Sequence, residues 1–177
     1  MTISLDPTKP GYEYQRLLLS YLGDDDPAQA QAETPRILRA LVAEAGPDLR
    51  TRPEPGEWSV IELLGHIMDG ELSSAVRYRW IVGHDRPDLP GYDQDLWASR
   101  LDHQHADPDT LLTAFEGLRA LNLELWRRLP VEDRTRVGIH LERGPESYEL
   151  TFALLAGHDR VHVEQARRTL EQVRAAR

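Results

Sequence analysis

Apolar residues recur at helical spacing in four long segments, and the joints between them carry proline and glycine. Ile37, Leu38, Leu41 and Val42 stripe the first segment, from about Asp26 to Ala45. Asp26-Pro27 supplies an N-cap followed by a first-turn proline, and Gly46-Pro47 closes the segment. Pro35 lies inside it and predicts a kink or a split. The second segment opens with Ser59 and Glu62 at capping-box spacing and Trp58 and Leu63 at the staple positions. It runs to about Val82 and ends at Gly83, before a long connection through Pro87, Pro90 and Gly91. Asp107-Pro108 starts the third, which Leu111, Phe115, Leu118, Leu125 and Leu129 line and Pro130 stops. Val137 to Leu141 alternates before Arg143-Gly144-Pro145, which predicts one arm of a small hairpin. Ser147 then caps a fourth helix reaching about Val173.

Four long helices with little strand signal predict an all-α four-helix bundle over residues 26–177. Residues 1–25 form an N-terminal extension, with Tyr12, Tyr14, Leu17, Leu18 and Leu19 available to pack back onto the bundle. The 177 residues suffice for one domain with a hydrophobic core. The chain has no cysteine, which removes disulfides, thiolate ligands and a cysteine nucleophile and suits a reducing cytoplasm. A formal net charge of −9, with both signs interspersed, argues against a nucleic-acid partner. The absence of a long apolar run argues against a membrane.

Chemistry concentrates in the histidines. His158 and His162 stand one turn apart on the fourth helix, beside Thr151, Leu154, Leu155 and Val161, near its inward face. Two imidazoles at i and i+4 can converge on one ion, but the same pattern also arises from one hydrogen-bonded core histidine and an exposed neighbour. His66 projects with Glu62, Asp69, Gly70 and Ser73, away from the apolar stripe of Ile61, Leu64, Met68, Leu72 and Ala75. The wheel places it in solvent, unless that polar stripe faces a cavity in which Gly70 leaves room. His84 sits at a helix end, His103 and His105 read as solvated, and His140 as an ordinary strand residue.

Trp58-Ser59-Val60-Ile61-Glu62-Leu63-Leu64-Gly65-His66, Arg77-Tyr78-Arg79-Trp80, Pro90-Gly91-Tyr92-Asp93-Gln94-Asp95-Leu96-Trp97-Ala98 and His158-Asp159-Arg160-Val161-His162 follow one another in a familiar order. In these motifs the chain resembles the DinB-like superfamily of four-helix bundles, and within it the YfiT-like branch described as metal-dependent hydrolases. The resemblance implies that His66, His158 and His162 bind one divalent metal ion and that the protein is a homodimer; an all-nitrogen site suits zinc first, with nickel, iron or manganese as alternatives. Other members of that superfamily are S-transferases that use low-molecular-weight bacterial thiols such as bacillithiol.

Three imidazoles leave a coordination position open, as catalytic rather than structural sites do. In a hydrolase that position activates water, and Asp69, one turn beyond His66, is a candidate to orient or deprotonate it. In an S-transferase it takes the thiol of a small-molecule cosubstrate. Arg77, Tyr92, Asp93 and Trp97 are candidates to shape the substrate pocket, against an alternative in which they close the bundle and Asp93 makes a local turn bond. A third reading is a metal-binding stress protein without turnover.

Overall fold

The computed structural model describes Leu5, Thr8 and residues 11–177. The rest of the extension lies outside the described residues. Six α-helices follow one another: α1 (Tyr12–Leu22), α2 (Pro27–Ala45), α3 (Val60–Gly83), α4 (Gln94–Arg100), α5 (Pro108–Arg128) and α6 (Tyr148–Ala175). Three short strands, β1 (Asp88–Leu89), β2 (Val137–His140) and β3 (Gly144–Ser147), and three short 3-10 helices, Gly46–Asp48, His103–His105 and Val131–Thr135, complete the described elements.

The four long helices form a four-helix bundle in which α2 and α3 each pack against both α5 and α6. Their starts are set by local chemistry. Asp26 accepts a hydrogen bond from Gln29 N at 2.8 Å, Asp107 from Thr110 N at 2.8 Å, and Leu150 N donates to Ser147 Oγ at 3.1 Å. Glu62 reaches back to accept the Ser59 N–H at 2.9 Å and is also paired with Arg52. Burial raises the Glu62 pKa, but these hydrogen bonds outweigh it and hold the carboxyl below its ordinary range.

Pro35 does not split α2, which runs unbroken across it. Proline cannot donate to the carbonyl four residues earlier, so Gln31 O is left without its helical partner. The buried Arg119 guanidinium takes that carbonyl, Nη1 donating at 2.9 Å. A tertiary contact therefore substitutes for the missing helical bond.

The core divides in two. Leu38, Ile61, Leu64, Ile67, Phe115 and Leu170 fill one half. Tyr78, Trp126, Tyr148 and Phe152 dominate the other, with Trp126 and Phe152 stacked at 4.0 Å. Between the halves on every bundle helix lies a polar layer. Arg119 donates to Glu71 Oε2 from Nε at 2.8 Å and from Nη2 at 2.6 Å, and to Asp159 Oδ2 at 2.7 Å. Asn122 donates to Glu71 and Thr34 to Asp159.

The small sheet sits at one end of the bundle in the order β1-β2-β3, with β1 parallel and β3 antiparallel to β2. The predicted hairpin arm thus pairs on both edges, and β1 comes from the connection after α3. The described part of the N-terminal extension packs along α6 through Leu5, Leu18 and Leu19 against Leu150, Leu154 and Val161. Gly157 permits this approach, because a Cβ there would stand 2.1 Å from the Leu18 carbonyl oxygen. No helix among the described residues is long and apolar enough to cross a membrane.

Candidate metal centre

Helix α3 has little solvent face, with 16 of its 24 residues buried. His66 therefore lies inside the bundle at 3 % exposure, not in solvent as its polar neighbours on the wheel suggested. It faces α6, where His158 is buried and His162 half-buried. His66 Nε2 is 3.0 Å from His158 Nε2 and 3.2 Å from His162 Nε2, and one nitrogen from each of the three rings falls within a 4.8 Å span.

Burial is the main force on the protonation of these rings. It pushes His66 down to about 3, helped by repulsion from His162 and His103. It drives His158 well below the ordinary imidazole range and lowers His162, where the hydrogen bond that His162 donates to Gln165 opposes it. The rings are therefore neutral at pH 7, each with a lone pair to offer. His162 Nδ1 lies 2.9 Å from Gln165 Oε1, an acceptor, so the proton sits on Nδ1 and the Nε2 lone pair points to the cluster. His66 Nδ1 and His158 Nδ1 are buried without a hydrogen-bond partner among the described residues. Packing orients those two rings instead. Trp58 lies 5.1 Å from the His66 ring, and a Cβ at Gly70 would come within 3.0 Å of His158 Cε1.

Nitrogens held about 2.0–2.1 Å from a tetrahedral zinc stand roughly 3.3 Å apart. The separations of 3.0 and 3.2 Å from His66 Nε2 come close to that spacing, and the three nitrogens lie within 4.8 Å of one another.

His66 and His158 also line a cavity of about 500 Å³ between α1, α3, α6 and the loop after β2. From α3 its wall takes His66, Gly70, Ser73, Ser74 and Arg77, one helical stripe. Glu62 and Asp69, expected on that stripe, are absent from the wall. His162 faces a second, more open groove with Trp58, Gln165 and Arg168.

Residues 28–166 match the sequence profile of the DinB superfamily. The chain belongs to the DinB superfamily. Among superfamily relatives, a protein of Bacillus licheniformis named "putative metal-dependent hydrolase" is 25 % identical over 159 residues, covering 88 % of this chain and 86 % of that one. One of the same name from Oceanobacillus iheyensis is 28 % identical over 108 residues, covering 61 % of this chain and only 62 % of its own length. The fold is shared with YfiT of Bacillus subtilis, described as "a probable metal-dependent hydrolase with an unusual four-helix bundle topology". That structure superposes with a TM-score of 0.77 at 20 % identity, over 98 % of this chain and 92 % of the other.

The remaining candidates are placed unevenly. Asp69 is buried and occupied by His103, whose Nε2 lies 2.6 Å from Asp69 Oδ2. His103 is thus buried rather than solvated, its ring lying where a Cβ at Gly65 would come within 2.5 Å. His105 is exposed beside Asp102. Arg77 and Tyr92 line the cavity, and the Tyr92 ring lies 6.4 Å from that of His66. Trp97 stacks behind Tyr92 at 4.3 Å and is outside the wall. Asp93 is exposed and caps α4, accepting from Leu96 N at 2.9 Å, so its carboxylate is spent on a local turn bond.

Three contributors went unseen in the sequence. Gln165 fixes the His162 tautomer, and its i+3 spacing from His162 was the available signal. His140 and Arg143 reach the cavity from the strand end and loop. No local pattern marks them, because the sheet register places them there.

Proposed function

We propose that this protein is a metal-dependent hydrolase that holds one zinc or nickel ion at His66, His158 and His162 and acts on a small-molecule ester or amide. The observation that carries this reading is the convergence of three neutral imidazole nitrogens, two of them from rings that line a cavity large enough for a metabolite. The names of the superfamily relatives support it. Such an ion, when bound, supplies Lewis acidity toward water or a carbonyl oxygen. The protein's own residues supply the rest. Gln165 keeps the His162 lone pair directed inward, and Trp58 and Gly70 fix the ring planes of His66 and His158. Tyr92, braced by Trp97, forms the substrate-side wall beside His66.

Metal analysis of the purified protein beside His158→Ala tests the site, followed by ester and amide panels on metal-loaded protein. One equivalent in the parent and none in the variant, with turnover that follows the metal, is expected. Equal metal in both rejects the three-histidine site. Conjugation of an added thiol to an electrophile, with no ester or amide cleavage, replaces hydrolysis with thiol transfer.

A further inference from the structure

The cavity that begins at the histidines ends at a cation without a counter-ion. Arg77 is buried at 8 % exposure on α3, and among the described residues no carboxylate comes within ion-pair distance of it. Its one hydrogen bond is from Nη2 to Pro90 O at 2.8 Å, and Nε is buried with no partner. Arg143, nearby, is already neutralised by Glu146 through bonds of 2.6 and 3.1 Å. The lining acid, Glu142, is exposed and packs over Gly91.

A second unsatisfied donor lines the same cavity. His140 Nδ1 accepts from the Glu142 backbone N–H at 3.2 Å, so the neutral ring carries its proton on Nε2. That Nε2–H is buried without a partner. An unpartnered guanidinium edge and an unpartnered imidazole N–H are both costly to bury unless a ligand's acceptors complete them.

We propose that Arg77 and His140 form a carboxylate-binding subsite, so that the substrate is a carboxylate-bearing small molecule whose reacting bond lies at the histidine cluster. The substrate's position at the histidines rests on the function proposed above; the subsite itself does not. The fork of arginine matches the two oxygens of a carboxylate, with His140 donating a further bond. One guanidinium balances one carboxylate, whereas a phosphate dianion brings an excess negative charge. Arg77 stands eleven helical steps beyond His66, about 16 Å along the axis. Both side chains lean toward the helix N-terminus, and the longer arginine reaches further that way, which shortens the distance between the functional ends. The two ends therefore select compounds with an extended body between the acid and the reacting bond.

The test uses metal-free protein, so that carboxylates have no ion to bind. Benzoate, phenylacetate and hexanoate are compared with their amides and with phenyl phosphate by ligand-observed NMR. Carboxylates are expected to bind at least about tenfold more tightly than the amides, a difference of about 1.4 kcal/mol. Arg77→Met should abolish that preference and Arg77→Lys should weaken it, with metal content at the parental level in both. His158→Ala should keep carboxylate binding, which separates failure of the metal site from failure of the subsite. His140→Phe should lower affinity and serves as the independent variant if Arg77→Met does not fold. The subsite is rejected if no carboxylate binds by about 10 mM, if amides or phenyl phosphate bind as well, or if the folded Arg77 variants match the parent.

Discussion

Two arginines are buried in this bundle, and their surroundings differ in kind. Arg119 sits at the waist with both carboxylates of Glu71 and Asp159 and the Gln31 carbonyl taking its donors. Arg77 has one carbonyl and an empty edge. The adjacent residues Asp159 and His158 repeat the contrast on α6. Asp159 turns its Oδ2 into the Arg119 network, with Oδ1 buried and without a partner among the described residues, and His158 faces the open cavity. A closed polar cluster serves the fold, and an open one keeps its donors for something that arrives from outside.

The largest effect that can break this contrast is expected at Arg119. Arg119→Met leaves Glu71 and Asp159 buried without their cation and should cost about 3–5 kcal/mol in denaturant unfolding. Arg77→Met should cost far less, and a loss equal to that of Arg119→Met would erase the distinction. His158→Ala comes next. Metal at about one hundred times its dissociation constant should stabilise the parent by about 2.7 kcal/mol and leave the variant's unfolding unchanged.

Gln165→Leu removes the acceptor that fixes His162 and should weaken metal binding about 10–100-fold while unfolding stays near parental. Competition with a chelator reads that loss directly. The smallest effect concerns Glu146. Burial raises its pKa, but hydrogen bonds and charge from Arg143, with Gln15, bring it below the ordinary glutamate range. A lowered folded-state value stabilises the protein fully above the ordinary range, and that contribution is lost as pH falls through the lowered value. Unfolding free energies measured from pH 7 to pH 3 should fall less steeply in Arg143→Met than in the parent.

The helices were legible because caps and prolines act locally. Asp26-Pro27, Ser59 with Glu62, Asp107-Pro108 and Ser147 each start a helix where the sequence predicted one. The two-residue strand β1 was not legible, since its pairing with β2 comes from a register 51 residues distant and carries no periodicity of its own. The site was half legible. The wheel equates polar with exposed, and that equation fails on a helix enclosed by α5, α6 and the connection after β1. His66 and Asp69 were misplaced outward for that reason, and His103 because a turn residue is buried when Gly65 leaves space for its ring.

One backbone contact reaches further than its size suggests. At Gly157 the chain of α6 and that of α1 touch with only a hydrogen atom's width between them, one residue before His158. Tyr14 and Leu18 of α1 form the wall opposite α3, so the bore of the cavity is set at a position that does not line it. A methyl group added at 157 would push that wall outward while leaving every lining residue unchanged. The width of the cavity is therefore governed in part by a residue that is not in its wall.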